Sequence, residues 1–161
     1  MTHNVNIPGW AGDIYAWLDA NEKRIPQGGT YLEIGTFMGA SLAHIGTLRP
    51  DIELIAVDPW LDAPSQGYCG PGEYTQIQNE RGGLFPAFLW YMTRFAPDVL
   101  KRTRIIRGTA KNVRLITTVD LLFIDGAHDV DSVLLDIDVF SPLVRTGGLI
   151  AGHDFNPTAT N

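Results

Sequence analysis

The sequence predicts a single α/β domain built around a doubly wound, mainly parallel sheet. Four short apolar runs, each ending at a turn that carries an acid, and a fifth predicted strand alternate with segments of helical periodicity along the 161 residues. Such runs are typical of strands buried on both faces, and the alternation implies parallel strands joined by right-handed crossovers. The length suits one domain, which we take to be residues 1–161.

The expected strands and helices follow one another in strict alternation. The strands cover about 30–35, 52–57, 103–107, 119–124 and 149–152. The helices cover 9–24, 39–48, 85–96 and 129–141, and a short helix is expected after the turn at Gly108-Thr109-Ala110. Helix 129–141 has the clearest periodicity, and we expect Pro142 and Gly147-Gly148 to end it.

Composition narrows the possible partners and compartments. The net charge is −6 and no block of lysine or arginine stands out, so a nucleic-acid partner is not expected. The longest apolar stretch, Leu84–Met92, is too short to span a bilayer, so no membrane association is expected either. Cys69 is the only cysteine and the N-terminus lacks signal-peptide features, which favours a cytoplasmic location.

A long irregular segment, residues 59–83, separates the second strand from the next helix. Prolines lie in it or beside it, and Trp60, Tyr68 and Tyr74 are interleaved with them. Loops of this length in compact domains are usually functional lids or disordered segments. The aromatic residues favour a lid.

Four carboxylates stand at the ends of predicted strands: Glu33, Asp58, Asp125 and Asp154. Open α/β sheets bind ligands in the crevice outside the carboxyl ends of their strands. If the strands are parallel neighbours, these acids converge on one rim. We therefore expect a binding site there.

The turn after the first strand, Gly35-Thr36-Phe37-Met38-Gly39, resembles a nucleotide-binding turn. Gly39 opens a helix, whose free N–H groups can receive an anionic group. Asp58 ends the second strand, where nucleotide-binding folds hold ribose hydroxyls, although it could instead cap the turn at Pro59-Trp60. The Gly-x-x-x-Gly spacing differs from that of dinucleotide binders and argues against a nicotinamide-dependent oxidoreductase.

Four segments together resemble the class I S-adenosylmethionine-dependent methyltransferases. The segments are YLEIGTFMGAS at 31–41, AVDPW at 56–60, LFIDGAH at 122–128 and GGLIAGHDF at 147–155. They are most similar to the subgroup of macrolide-sugar O-methyltransferases and more distantly to catechol O-methyltransferases, over about residues 28–156. The resemblance implies a Rossmann-like methyltransferase fold with strand order 3-2-1-4-5.

The resemblance also implies which residues bind S-adenosylmethionine. Those expected around its methionine part are Glu33, Gly35, Thr36, Gly39 and Ser41. Asp58 would hold the ribose hydroxyls. Thr109, Ala110 and Lys111 would flank the adenine.

In metal-using relatives, the acid that ends the fourth strand and two adjacent polar residues that end the fifth strand bind a divalent cation. The matching positions here are Asp125, His153 and Asp154. Asp125 is therefore expected to be a catalytic residue as well as a metal ligand. Mg²⁺ is the first expectation, while the imidazole also suits Mn²⁺, Fe²⁺ or Zn²⁺. His128 stands where catechol-type relatives have a general-base lysine. Alternatively, His153 only hydrogen-bonds at the strand end and no metal binds. For His128, the alternative is that it caps the following helix.

These residues predict metal-assisted O-methylation of a small hydroxylated acceptor, such as a sugar or a catechol-like molecule. Relatives continue with a helix and an antiparallel strand pair, and these C-terminal strands of the usual seven are not found here. The alternative is therefore a truncated S-adenosylmethionine-binding domain without catalysis. The fifth strand would be left at an edge, which a homo-oligomer could cover.

Overall fold

The computed structural model describes residues 6–9, 12–61, 76–77 and 79–154. Its centre is a five-stranded parallel sheet in the order β3-β2-β1-β4-β5, which confirms the predicted order. The strands are β1 (Thr30–Ile34), β2 (Glu53–Asp58), β3 (Thr103–Arg107), β4 (Val119–Ile124) and β5 (Val144–Gly152).

The helices fall close to their predicted positions. They are α1 (Gly12–Asn21), α2 (Ala40–Leu48), α3 (Leu84–Phe95), α4 (Pro97–Lys101) and α5 (Val130–Phe140). The predicted helix 9–24 is shorter than expected and ends in a 3-10 turn at Glu22–Arg24. Sequence analysis missed α4, in which Pro97 stands at the first position because proline is tolerated there but not inside a helix.

The prediction of a short helix after Gly108-Thr109-Ala110 is wrong. The chain makes one turn and then runs irregularly to residue 118. The Asn112 side chain accepts a hydrogen bond from the Thr109 N–H at 2.8 Å, so it competes with the backbone for that donor. Such side-chain bonding favours turns over helix interiors.

Strand β5 is longer than predicted, because it begins at Val144 rather than at residue 149. The Gly147-Gly148 pair, expected only to end the preceding helix, lies inside this strand. The pairing with β4 shifts register between Val119 and Leu121, and Gly147 has a φ of +78°. A glycine with positive φ at a register shift is typical of a β-bulge.

Two apolar cores cover the two faces of the sheet. On one face, α1, α2 and α3 pack against alternate residues such as Tyr31, Leu121 and Phe123. On the other, α5 and the irregular segment after β3 pack against the residues between them, including Leu122. Alternating burial on both faces explains why the strands are almost continuously apolar.

Among the described residues, β5 pairs only with β4 and forms one edge of the sheet. Ile150 lies in register with Leu122, on the face covered by α5, yet 46% of its surface is exposed. A homo-oligomer that covers this edge stays a prediction. Within the described residues, no helix combines the length and apolarity that crossing a membrane requires.

The predicted lid segment, 59–83, is described only in part. Trp60 is buried, its indole N–H donates to the Phe37 carbonyl at 2.7 Å, and its ring contacts Phe88. Trp60 is therefore packed into the core and is not part of a lid. Tyr68 and Tyr74 lie outside the described residues, so the rest of the lid stays a prediction.

Gly35 allows the ends of β1 and β4 to touch. It has a φ of +87°, and a Cβ added to it would overlap the carbonyl group of Asp125 and the Cα of Gly126. Gly28 has a similar φ of +70° but open space around the same position. A side chain at either glycine would strain the backbone, but only at Gly35 would it also overlap neighbouring atoms.

We predict that Gly35→Ala lowers the free energy of unfolding by about 3–5 kcal/mol, because strain and overlap add. Gly28→Ala, the control, should lower it by only about 1–2 kcal/mol. Urea denaturation measures both. Equal losses in the two variants would contradict the close contact of the strand ends.

Candidate functional site

The carboxyl ends of four strands meet at one edge of the sheet. Backbone hydrogen bonds of 2.8–3.0 Å continue past the strands, from Gly35 to Val57, from Asp125 to Ile34 and from His153 to Ile124. Within the described residues, the three non-glycine residues with positive φ all follow strands at this edge: Phe37, Trp60 and Asp154. Backbone strain of this kind clusters at ligand-binding sites.

The turn between β1 and α2 carries the features of an anion-receiving site. Gly39 precedes α2 with a φ of +86°, and a Cβ there would meet the sulfur of Met92 at 2.7 Å. The Thr36 hydroxyl is buried and has no hydrogen-bond partner among the residues that the structure describes. A buried polar atom without a partner is rare, and it fits a turn that a polar ligand completes.

Asp58 joins this turn to the end of β2. One carboxylate oxygen accepts the Phe37 N–H at 2.8 Å, and the other accepts the Trp60 N–H at 2.6 Å. Burial raises the pKa of Asp58 to about 6, although these two N–H groups act in the opposite direction. Asp58 thus caps its own turn, as the alternative interpretation expected. Each oxygen can still accept a further hydrogen bond, so its ribose-binding role stays a prediction.

Glu33 does not join the open rim, and in this respect the prediction of four converging carboxylates is wrong. It shares a face of β1 with Tyr31 and is fully buried. Ser41 donates to one of its oxygens at 2.5 Å, and Tyr31 donates to the other at 3.1 Å. Burial, with a smaller contribution from the charge of Asp125, raises its pKa to about 8 despite these donors.

The predicted adenine-flanking residues follow β3, next to the end of β2. The Gly108 N–H donates to the Asp58 carbonyl at 3.0 Å, which fixes this turn beside Asp58. Ala110 is buried, Thr109 is half-buried and Lys111 is exposed. The structure therefore brings this segment to the same edge as the β1–α2 turn.

Asp125, His128, His153 and Asp154 form the second half of the site. The His153 Nδ1 lies 3.3 Å from an oxygen of Asp125 and 3.1 Å from one of Asp154. The His128 Nε2 lies 3.1 Å from the same Asp154 oxygen and 3.9 Å from that Asp125 oxygen. Donor atoms of Asp125, His128 and Asp154 all lie within 4.8 Å of one another.

The two spacings at the His153 Nδ1, 3.3 Å to Asp125 and 3.1 Å to Asp154, fit a divalent cation. With metal–ligand bonds of about 2.1 Å, neighbouring donor atoms are about 3.0 Å apart in an octahedral site and about 3.4 Å apart in a tetrahedral one. Burial raises the pKa of Asp125 to about 7, with the neighbouring His153 opposing the rise and Asp154 adding to it. A cation there would favour the ionised form of the carboxylate.

Sequence analysis missed one residue of this site, Asp13 on α1. An oxygen of its carboxylate lies 3.0 Å from the His153 Nε2. Burial alone would lower the pKa of His153, but the bond to Asp13 and the charges of Asp125 and Asp154 raise it. Asp13 and His153 are 140 positions apart, and no local pattern links them.

The family assignment follows from a match over most of the chain. A family model described as "Methyltransferase domain" matches residues 32–155. The chain belongs to this methyltransferase family. Its parallel sheet, in the order β3-β2-β1-β4-β5, is the class I fold that the resemblance implied.

One curated relative is distant. An uncharacterized protein of Acanthamoeba polyphaga mimivirus is 29% identical over 126 residues, 78% of this chain and 51% of that protein. The chain therefore spans about half the length of this curated relative.

Two solved structures show the likeness of the methyltransferase fold. A putative caffeoyl-CoA O-methyltransferase from Staphylococcus aureus is 21% identical with a TM-score of 0.55, over 91% of this chain and 59% of that one. A putative protein-L-isoaspartate O-methyltransferase from Plasmodium falciparum, in complex with S-adenosyl-L-homocysteine, is 14% identical with a TM-score of 0.51, over 86% and 59%.

We predict that Glu33→Gln changes how the stability of this chain depends on pH. The folded chain keeps Glu33 protonated up to about pH 8, whereas the unfolded chain ionises it from about pH 4.5. Its contribution to wild-type stability is thus complete below pH 4.5 and is lost as pH rises to 8, by about 1.4 kcal/mol per unit. Glutamine cannot ionise, so the free energy of unfolding of the variant should rise relative to that of the wild type over this pH range.

Urea denaturation at pH 5, 6.5 and 8 measures this difference. The exposed Glu53→Gln serves as the control, which we expect to change stability by less than about 0.5 kcal/mol. A constant difference between Glu33→Gln and wild type across the pH range would contradict the buried, protonated carboxyl group.

Proposed function

We propose that this chain is an S-adenosylmethionine-dependent O-methyltransferase that uses a divalent cation and acts on a small hydroxylated molecule. The observation that carries the proposal is the contact of two half-sites. The Gly35 turn touches the backbone of Asp125, so a cofactor in the turn and a cation at Asp125 would be neighbours. Methyl transfer requires that proximity.

The cofactor half suits a positively charged ligand that also carries polar groups. Glu33 and Asp58 are buried acids whose charge a nearby cationic amino or sulfonium group would stabilise. The unpartnered Thr36 hydroxyl and the N-terminus of α2 offer hydrogen bonds to a carboxylate. We expect the methionine part at Glu33, Gly35, Thr36, Gly39 and Ser41, the ribose at Asp58 and the adenine at Thr109, Ala110 and Lys111.

The other half suits acceptor activation. S-adenosylmethionine bound in the cofactor half would supply a methyl group on a positively charged sulfur, and a cation bound in this second half would lower the pKa of the acceptor hydroxyl. Asp125, Asp154 and His153 would hold the cation. His128, whose Nε2 lies 3.1 Å from Asp154, would take the hydroxyl proton.

We predict that the chain converts S-adenosylmethionine to S-adenosylhomocysteine with an acceptor from a panel of sugars and catechols. Mass spectrometry should show the acceptor heavier by one methyl group. A chelator should abolish transfer and Mg²⁺ or Mn²⁺ should restore it, while Asp154→Asn should lower the rate at least 100-fold. The Asp98→Asn variant, which changes an exposed acid on α4, should leave the rate unchanged.

If no methyl transfer is detected, a measurement of cofactor binding distinguishes the remaining possibilities. Stabilisation by S-adenosylmethionine, about 2.7 kcal/mol at a hundredfold excess over the dissociation constant, would show binding. Binding without transfer to any acceptor, with any cation, would favour the non-catalytic binding domain. Methyl transfer that persists after chelation would contradict the proposed role of the cation but not the proposed methyltransferase activity.

We predict different effects for the two histidines. His153→Gln should weaken Mn²⁺ binding because it removes a ligand, whereas His128→Gln should retain Mn²⁺ within about threefold and lose methyl transfer. Isothermal titration with Mn²⁺, followed by the transfer assay, separates the two roles. The reverse pattern would mean that their roles are exchanged.

A further inference from the structure

The contact between Asp13 and His153 connects α1 to the end of β5. His153 uses both ring nitrogens, with Nε2 lying 3.0 Å from Asp13 and Nδ1 facing Asp125 and Asp154. A ring held at Nε2 cannot turn without breaking this contact. Its Nδ1 is therefore directed at the two acids.

The Asp13 contact contributes little to holding α1 in place. The Asp13 side chain is 76% exposed, and exposed ion pairs contribute only about 0–1 kcal/mol. The helix is fixed instead by buried residues, among them Ile14 and Leu18. The loss of the Asp13 carboxylate should leave the fold intact, so its effect on the site can be measured separately.

We propose that Asp13 is a positioning residue that orients His153 for cation binding. Histidines that bind metals commonly donate their second ring N–H to a carboxylate, which fixes the ring orientation and the tautomer and raises ligand basicity. Asp13 supplies that carboxylate from α1. This inference rests on the proposed cation site.

Helix α1 also offers a matched control. Asp19 lies one and a half turns after Asp13, and an oxygen of its carboxylate lies 2.7 Å from the Nε2 of the buried His44. This second Asp–His pair joins α1 to α2 rather than to the end of β5. Asp19→Ala therefore reproduces the loss of an aspartate from α1 without touching the site.

The test is isothermal titration of the full chain with Mn²⁺. Asp13→Ala should weaken Mn²⁺ binding about 10-fold or more, the range found for residues that support metal ligands, and Asp13→Asn, which keeps an acceptor oxygen, should recover part of it. Asp19→Ala should bind as the wild type does. In the His153→Ala background, the further change Asp13→Ala should have no effect, because Asp13 acts through His153.

The outcomes separate this inference from the function on which it rests. Equal Mn²⁺ affinity of Asp13→Ala and wild type would overturn the role of Asp13 and leave the cation site standing. A further loss in the His153→Ala background would also overturn it, since Asp13 would then act by another route. No Mn²⁺ binding by the wild type would overturn both the cation site and the inference.

Discussion

The site depends on one backbone contact, between the end of β1 and the end of β4. Gly35 has no side chain, and the Asp125 carbonyl occupies the space that a Cβ would take. The Asp125 N–H in turn donates to the Ile34 carbonyl at 2.8 Å. Because these strands are neighbours in the middle of the sheet, the turn between β1 and α2 lies beside Asp125. A larger residue at position 35 would separate them.

The second constraint is the burial of three carboxyl groups. Burial is the main cause of the raised pKa values of Glu33, Asp58 and Asp125, and no arginine or lysine neutralises them in the contacts that the structure describes. Ionising buried carboxyl groups costs free energy unless a positive charge lies nearby. A cationic cofactor and a divalent cation would lower that cost. The site therefore favours ligands of positive charge.

The sequence predicted the sheet well because four of the five strands contain an apolar run that ends at a turn, and the predicted bounds of β3 and β4 match the structure to the residue. It predicted less well wherever side-chain direction matters. Glu33 shares a face of β1 with Tyr31 and contacts Ser41 of α2. Its position near the end of a strand does not predict that its side chain is covered by this helix. The partner of His153 could not be predicted, because Asp13 reaches the site only through the packing of α1. The bulge that lengthens β5 depends on glycine conformation, which the sequence alone leaves open.

The most direct test of two adjoining half-sites is a crystal structure of the chain with S-adenosylhomocysteine and Mn²⁺, recorded at the manganese absorption edge. We expect an anomalous peak about 2.1–2.3 Å from carboxylate oxygens of Asp125 and Asp154. We also expect the homocysteine part of the ligand to lie against the Gly35–Gly39 turn. A manganese peak away from both acids, or the ligand bound elsewhere than at the carboxyl ends of the strands, would contradict it.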